Sequence, residues 1–139
     1  MIHPFVDRVH RVPRLWSNQE LRKVAPLFQG DVVNVSAFKD EDKEGAHYRD
    51  YFSSASTYSI TNYKAEANGM QGAESEIFLD LEDELPLDLK GKYDVAFIHT
   101  TLEHIFEART AFRNLASMSK DVVITVVPFV QQYHENNGD

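Results

Sequence analysis

The fold of this chain follows from the stretch KYDVAFIHTTLEH, residues 92–104. Residues 93–99 form an almost continuous apolar run, which is typical of a strand buried on both faces of a sheet. Thr100 and Thr101 follow the run, and a helical pattern begins at Leu102. In open α/β sheets, ligands bind where a buried parallel strand ends in such a turn. The stretch therefore predicts an α/β fold with a ligand site at the end of this strand.

Four further segments are predicted to be strands because they are rich in β-branched or aromatic residues and are bounded by turn residues. Strands that alternate with helices or long connections imply right-handed crossovers and a parallel sheet. Gly30 is expected to form the turn into the first of these strands. The four segments are residues 31–37, 58–62, 76–81 and 121–127.

Helical structure is predicted at three places in the sequence. Ser17 and Glu20 have capping-box spacing, so a short helix is expected to begin near Asn18 and to end before Pro26. Residues 47–52 are expected to form one helical turn. After residue 101, apolar residues recur at steps of three and four, which predicts an amphipathic helix. These apolar residues are Leu102, Ile105, Ala108, Phe112, Leu115 and Ala116.

Length and composition limit the class of protein. The 139 residues fit one domain, with an N-terminal segment and helix at 1–29 and the sheet core at 30–139. No cysteine is present, which excludes disulfides, thiolate metal sites and cysteine nucleophiles. The net charge of −8 disfavours binding to a nucleic-acid backbone. No apolar stretch approaches the ~20 residues of a membrane helix, and the N-terminus lacks an apolar signal core, so a cytoplasmic protein is expected.

Asp94 and the triplet Leu102-Glu103-His104 resemble the fourth strand and following turn of class I S-adenosylmethionine-dependent methyltransferases, in their small-molecule, type 11-like branch. The resemblance implies a Rossmann-like parallel sheet in the order 3-2-1-4-5, S-adenosylmethionine as cofactor, and a small-molecule or glycan-like methyl acceptor. The chain stops before the last two strands of that fold, which suggests a truncated C-terminus.

In this family, a glycine-rich turn after the first strand lets the backbone approach the cofactor. Aligning residues 32–35 with that strand puts Asn34 at the usual acid, and Ser36, Phe38 and Asp40 at the usual glycines. Glycine serves where a side chain would collide with the ligand or where φ is positive. Two alternatives follow. The loop takes a different path and binds through Ser36 and backbone amides, or cofactor binding is lost.

The resemblance assigns further cofactor contacts to the other strand ends. Asn62 stands where a carboxylate usually holds the ribose hydroxyls, and an amide can still accept one hydrogen bond and donate another. Asp80, followed by Leu81, stands where an aspartate faces the adenine amino group; alternatively, it is a turn acid in the run 80–84. His99, Thr100 and Thr101 would lie beside the sulfonium; alternatively, they only end the strand, with Thr101 or Thr100 capping the next helix.

Methyl transfer from a sulfonium depends chiefly on proximity and alignment, with a base only where the acceptor loses a proton. His104 is the candidate base because the ordinary pKa of histidine suits neutral pH, and Tyr133 and His134 are alternatives. The second hypothesis is a non-catalytic relative that has lost the cofactor and serves as a partner-binding or assembly module. The missing glycines favour the second hypothesis, and Asp80 with the TTLEH turn favours the first.

Two patterns imitate metal sites without matching them. His99, Glu103, His104 and His134 do not have the spacing of a zinc-protease helix. Residues 40–45 resemble the first half of an EF-hand loop, but Tyr51 stands where the bidentate glutamate would be. We therefore predict a solvated acidic loop and no metal site.

Residues 121–127 are expected to be an edge strand whose uncharged, β-prone run 122–127 needs a cover. One alternative is pairing with another copy, which would give a homodimer. The other is coverage by residues 1–16, whose apolar residues Phe5, Val6, Val9, Leu15 and Trp16 need burial.

Overall fold

The structure, a computed structural model, describes residues 12–64 and 69–128. Helix α1 and helix α2 lie on the two faces of a sheet, and short 3-10 turns occur at Ala25–Leu27, Tyr48–Asp50, Leu87–Leu89 and Leu102–His104. None of the helices in these ranges has the length and apolar character needed to cross a bilayer. The elements are α1 Val12–Val24, β1 Gly30–Val35, β2 Ala55–Asn62, β3 Glu76–Phe78, β4 Tyr93–His99, α2 Ala108–Met118 and β5 Ser119–Val126.

The five strands form one parallel sheet in the order β3-β2-β1-β4-β5. This confirms the predicted α/β class and strand order, with β1 and β4 adjacent at the centre. The chain runs outward from β1 through β2 to β3, then crosses back to β4 on the other side of β1. The strand order therefore reverses between β1 and β4, and open α/β sheets bind ligands at such a point.

Both faces of the central strands are buried, which explains their continuous apolar sequences. On one face, Val33 and Ala96 pack with Leu115 of α2. On the other, Val32 and Phe97 pack with Leu21 of α1 and with aromatic residues near the Tyr48–Asp50 turn. Successive residues of a strand point to opposite faces, so β1 and β4 supply both apolar clusters.

The start of α1 differs from the prediction. The helix begins at Val12, and Ser17 lies inside it, where the Ser17 hydroxyl donates to the Arg14 carbonyl at 2.9 Å. Glu20 pairs with Lys23 at 2.6 Å and closes no capping box. The capping-box signal was therefore wrong, because both side chains find partners within the helix. The predicted end before Pro26 is confirmed, since α1 ends at Val24.

The helix after β4 also differs in its start and its buried face. Residues 102–104 form a 3-10 turn, and α2 begins only at Ala108. The predicted apolar stripe is confirmed at Leu115, which is fully buried, and wrong at Phe112, which is 49% exposed, whereas Asn114 is buried. The Asn114 amide donates to the carbonyls of Leu81 and Asp83, at 2.9 Å each. These bonds fix the rotation of α2 and place a polar residue on its buried face.

Four strands differ at their boundaries from the predicted ones. β1 begins at Gly30 and ends at Val35 and not at residue 37, and β5 runs from Ser119 to Val126 and not from 121 to 127. β2 begins at Ala55, three residues before the predicted start, because it extends to pair with Gly30 of β1. β3 ends at Phe78 and not at residue 81. Phe78 is paired with Asn62, which is the last residue of β2. Residues after Phe78 therefore have no partner in β2, and β3 ends there.

β5 is an edge strand among the described residues, as predicted. Its apolar side chains, such as Val123 and Ile124, are only half-buried on either face. Of the residues expected to cover it, Trp16 is 63% exposed, and residues 1–11 lie outside the described residues. Pairing with a second copy stays a prediction. We expect light scattering to find a dimer, and Thr125→Lys, which adds a charge to this edge, to give a monomer. A monomeric wild-type chain would contradict the prediction.

Candidate functional site

A cleft of about 190 Å³ opens at the carboxyl ends of β1 and β4, where the strand order reverses. Three parts of the chain form it: the first turn of α1, the loop after β1, and the turn after β4. The cleft therefore lies where the sequence predicts a ligand site. Its lining residues are Arg14, Asn34, Ser36, Ala37, Phe38, Glu41, Lys43, Tyr48, His99, Thr100 and Thr101.

The loop after β1 has an unusual backbone. Ser36, Phe38 and Asp40 all have positive φ, at 56°, 54° and 61°. This left-handed conformation costs a residue other than glycine about 1–2 kcal/mol. Three such residues within five positions persist only because the surrounding structure holds them. They are the three positions that the family resemblance assigns to glycines.

Asn62, at the end of β2, holds this loop in place. Its side-chain oxygen accepts a hydrogen bond from the Phe38 N–H at 2.7 Å, and its amide donates to the Phe38 carbonyl at 3.0 Å. The second amide hydrogen goes to the Glu76 carboxylate at 2.6 Å. Asn62 is 2% exposed and does not line the cleft. Both donors of the side chain predicted to hold ribose hydroxyls are therefore engaged inside the protein.

The backbone amides of the loop are also engaged. Ser36 N–H donates to the Thr61 hydroxyl at 3.2 Å, and Ala37 N–H donates to the Thr61 carbonyl at 3.1 Å. With the Phe38 N–H bound to Asn62, three successive amides donate within the protein. A ligand in the cleft would therefore meet the side chains of this loop, chiefly Ser36 and Phe38, and not these amides.

Asp40 fixes the orientation of Asn34 from beneath the loop. Its carboxylate accepts hydrogen bonds from the Asn34 amide and the Tyr58 hydroxyl, both at 2.7 Å, and from the Arg49 N–H at 3.0 Å. Burial, and next the charge of Asp40, raise the pKa of Tyr58 well above its ordinary value. Tyr58 therefore stays a neutral donor, and Asn34 is held with its side chain at the floor of the cleft.

On the other side of the cleft, Arg14 reaches the end of β4. Its guanidinium donates to the Tyr48 hydroxyl at 3.3 Å, to His99 Nδ1 at 3.4 Å and to the Thr100 hydroxyl at 3.1 Å. The rings of Tyr48 and His99 are stacked, with centroids 5.1 Å apart. Burial, and next the charge of Arg14, lower the pKa of His99 to about 4. His99 is therefore neutral at physiological pH.

These contacts also assign the tautomer of His99. The Arg14 guanidinium can only donate, so His99 Nδ1 accepts. The Ser17 hydroxyl donates to the Arg14 carbonyl, so at its 3.3 Å contact with His99 it accepts from Nε2. The proton of the neutral imidazole is therefore on Nε2. Sequence reasoning missed Arg14 as a cleft residue because it precedes the sheet by many residues and matches no motif. It assigned Ser17 only to a capping box and did not indicate its contact with His99.

The structure brings together some of the predicted site residues and separates others. Asn34, Ser36, His99 and Thr100 line the same cleft. Asp80 accepts a hydrogen bond from the Glu82 N–H at 2.9 Å, as the turn-acid alternative expects. Leu81 is buried in the apolar core. His104 is exposed and does not line the cleft, and Tyr133 and His134 lie outside the described residues.

The acidic loop imitating an EF-hand is held by groups of the protein itself. Asp42 is fully buried and accepts hydrogen bonds from the Tyr51 hydroxyl at 2.6 Å and from the Arg22 guanidinium at 3.0 Å. It also accepts from the N–H groups of Glu44 and Ala46. Across residues 12–64 and 69–128, no three His, Asp or Glu side chains converge as metal ligands would.

No protein-family model and no curated protein matches this chain.

Proposed function

We propose that this chain binds S-adenosylmethionine over the carboxyl ends of β1, β2 and β4 and transfers its methyl group to a small-molecule or glycan-like acceptor. The observation that carries the proposal is the left-handed backbone at Ser36, Phe38 and Asp40. Strained backbone persists mainly at functional sites, and here it recurs at the three positions that the resemblance assigns to glycine. It also borders a cleft at the reversal of strand order, where α/β sheets bind ligands.

The cleft residues have distinct proposed roles in holding the cofactor, which would supply an electrophilic methyl group on a sulfonium. Asn34 and Ser36 would contact its amino-acid end, and His99 and Thr100 would lie beside the sulfonium. A neutral His99 adds no second positive charge at that position, where the Arg14 guanidinium already contacts His99 and Thr100. The contribution of the chain is then alignment of donor and acceptor and exclusion of water.

His104 stays the proposed proton acceptor for substrates that lose a proton. It lies in the 3-10 turn that follows Thr101, and its imidazole is exposed to solvent. An acceptor entering over the turn after β4 would meet His104 before it reaches the cleft. Methyl acceptors that carry no such proton would not need this residue.

We expect calorimetric titration to show that S-adenosylhomocysteine binds the wild-type chain, and that Phe38→Gly binds it up to tenfold more tightly. Glycine removes the ring from the cleft and adopts a φ of 54° at no steric cost. Phe106→Gly is the matched control, because Phe106 is 93% exposed and does not line the cleft. Equal affinities for wild type and Phe38→Gly would show that the ring does not obstruct the ligand.

Asp80→Ala is expected to weaken binding of S-adenosylhomocysteine about tenfold, since a hydrogen bond to a charged group contributes about 1.5–3 kcal/mol. Asp83→Ala removes a carboxylate from the same exposed turn and serves as the control. Both affinities are measured by calorimetry on variants with unchanged melting temperatures. If Asp80→Ala binds as tightly as wild type, Asp80 is only the turn acid that its bond to Glu82 describes.

The second candidate function is a non-catalytic, partner-binding or assembly module. Two observations favour it: the engaged side chain of Asn62, and a cleft smaller than the roughly 300–1,000 Å³ of most ligand sites. The same titration separates the two functions. Absence of binding at millimolar S-adenosylhomocysteine, in both wild type and Phe38→Gly, would reject the methyltransferase and favour the module.

A further inference from the structure

The cleft contains a positive charge that no carboxylate of the described residues neutralises. Glu41 and Lys43 line the cleft and pair with each other at 3.2 Å. Arg14 forms no ion pair within residues 12–64 and 69–128. The ionised residues that line the cleft are Arg14, Lys43 and Glu41, so their net charge is 2 − 1 = +1. The net charge of the whole chain is −8, so the charge of this cleft is opposite in sign to that of the chain.

The groups that hold Arg14 are all uncharged. They are the Tyr48 hydroxyl, Nδ1 of the neutral His99 and the Thr100 hydroxyl, at 3.1–3.4 Å. Burial keeps the Tyr48 hydroxyl protonated by raising its pKa. These acceptors fix the direction of the guanidinium without cancelling its charge. Arg14 is thus oriented in advance, and a ligand would not have to displace a carboxylate to reach it.

The geometry of the guanidinium leaves donors for that ligand. An arginine has five N–H groups. The three acceptors take two N–H groups on Nη1 and one on Nη2, so within residues 12–64 and 69–128 one N–H on Nη2 and one on Nε have no acceptor. A pair of adjacent N–H groups matches the two oxygens of a carboxylate, which is why arginine binds carboxylates in a bidentate manner.

We infer that Arg14, positioned by Tyr48, His99 and Thr100, forms a carboxylate-binding site in the cleft between β1 and β4. The carboxylate belongs either to the amino-acid end of the cofactor or to the methyl acceptor. Either source would neutralise Arg14 beside the proposed sulfonium position. The site does not depend on methyl transfer, because its geometry is complete without the cofactor.

A direct test follows the ¹⁵N-edited NMR signal of Arg14 Nε–H during titration with sodium acetate, with sodium chloride as the ionic-strength control. We expect a saturable shift with acetate and none beyond the salt effect with chloride. Acetate affinity is expected to fall at least fivefold in Arg14→Gln, as followed by neighbouring backbone amides. Arg113→Gln removes an exposed charge on α2 and should bind as wild type. Equal responses to acetate and chloride, or unchanged acetate binding in Arg14→Gln, would overturn the inference.

A second arm distinguishes the source of the carboxylate. Calorimetry compares S-adenosylhomocysteine with 5′-deoxy-5′-methylthioadenosine, which lacks the amino-acid carboxylate. A loss of at least tenfold in Arg14→Gln for the first compound alone assigns the site to the cofactor. Equal affinities in wild type and Arg14→Gln, together with lost acetate binding, assign it to the acceptor. If acetate binds through Arg14 and neither nucleoside binds, the carboxylate site stands and the proposed methyltransferase fails.

A second variant, Arg14→Lys, separates loss of the carboxylate site from loss of the folded structure. Lysine keeps the charge but lacks the planar fork, so partial recovery of acetate binding over Arg14→Gln is expected. Recovery to the full wild-type affinity would show that the fork geometry contributes nothing, and would contradict the bidentate site. Melting temperatures of all three proteins establish that the comparison is made between folded chains.

Discussion

Asp42→Ala is expected to lower the free energy of unfolding by about 2–4 kcal/mol, because it leaves the buried Tyr51 hydroxyl and two backbone N–H groups without their acceptor, and each unsatisfied buried group costs about 1–3 kcal/mol. Asp42 is fully buried, and its carboxylate accepts bonds from the Tyr51 hydroxyl at 2.6 Å and from Arg22 at 3.0 Å. Two backbone N–H groups, of Glu44 and Ala46, bond to its other oxygen. Because domains are stable by only about 5–15 kcal/mol, urea unfolding should detect the change clearly.

The control for this prediction is Glu41→Ala, which removes an exposed carboxylate from the same loop. Its ion pair with Lys43 is solvent-exposed, so a loss of less than about 1 kcal/mol is expected. A comparably small loss in Asp42→Ala would mean that the buried cluster does not hold the loop, and would contradict the prediction.

The Asp42 cluster also predicts the response of the protein to acid. Burial acts to raise the pKa of Asp42, but hydrogen bonds from Tyr51, Ala46 and Glu44 and the charge of Arg22 outweigh it and lower the pKa below 3.8. A lowered pKa contributes stability that is present at neutral pH and is lost as the pH falls below about 4. The cluster therefore adds to acid unfolding only in strongly acidic solution.

The loop around Asp42 connects stability to the proposed carboxylate site. The Asn18 amide of α1 donates to the Asp42 carbonyl at 3.0 Å, and the Tyr48 hydroxyl donates to the Asn18 side chain at 3.1 Å. Tyr48 in turn accepts from Arg14. A single chain of contacts thus fixes α1, the acidic loop and the guanidinium in the cleft. Of these residues only Asp42 belongs to a pattern noted in the sequence, the EF-hand-like run 40–45, and that pattern does not indicate these contacts.

The sheet could be predicted from sequence because its central strands are buried on both faces. A strand with two buried faces must be apolar at nearly every position, as 93–99 is, and this pattern is local. The boundaries of β4 follow from it directly. The first and last residues of β2 and β3 could not be predicted as well, because a strand ends where the strand paired with it ends. The pairing of Asn62 with Phe78 is not visible in the sequence of either segment alone.

The cleft could be predicted only in part. One side consists of residues at the ends of strands, and the other side includes Arg14 of α1. Asn34, Ser36, His99 and Thr100 follow strands of a parallel sheet, so their meeting at one edge is a consequence of topology. Arg14 reaches the cleft from α1, and no local pattern indicates a contact 85 residues away along the chain. The positive φ values of Ser36 and Phe38 were likewise hidden, since neither residue type signals a left-handed backbone.

The structure bears on the two alternatives for the loop after β1, which lacks the glycines of the family pattern. Either the loop binds the cofactor through Ser36 and backbone amides, or cofactor binding is lost. The loop keeps a left-handed backbone at Ser36, Phe38 and Asp40, but the bonds of Thr61 and Asn62 take up its amides. Each of these three positions carries a side chain where a glycine would leave open space. Whether the cofactor is still accepted therefore depends on how far the Phe38 ring can move, and the Phe38→Gly titration measures that directly.

Between pH 6.5 and pH 4, His99 is expected to remove about 3 kcal/mol of folding stability. Its pKa in the folded protein is lowered from 6.5 to about 4, by burial first and then by Arg14. Below pH 6.5 the unfolded chain binds a proton at His99 that the folded chain does not bind. The stability present above pH 6.5 is therefore lost as the pH falls from 6.5 through the pKa of the folded protein. Asp42, whose pKa is lowered below 3.8, contributes below this window.

His99→Gln should flatten the slope of unfolding free energy against pH between these two values, whatever its effect on stability at pH 7. His104→Gln, which removes an exposed imidazole outside the cleft, is the control and should keep the wild-type slope. NMR titration of the His99 ring should give a midpoint near 4 in the wild-type chain and a higher one in Arg14→Gln, since that variant removes the adjacent charge. A His99 midpoint near 6.5 in wild type would show that the imidazole is neither buried nor beside a guanidinium. Such an imidazole would be partly protonated near neutral pH and would add positive charge beside Arg14, next to the proposed sulfonium position.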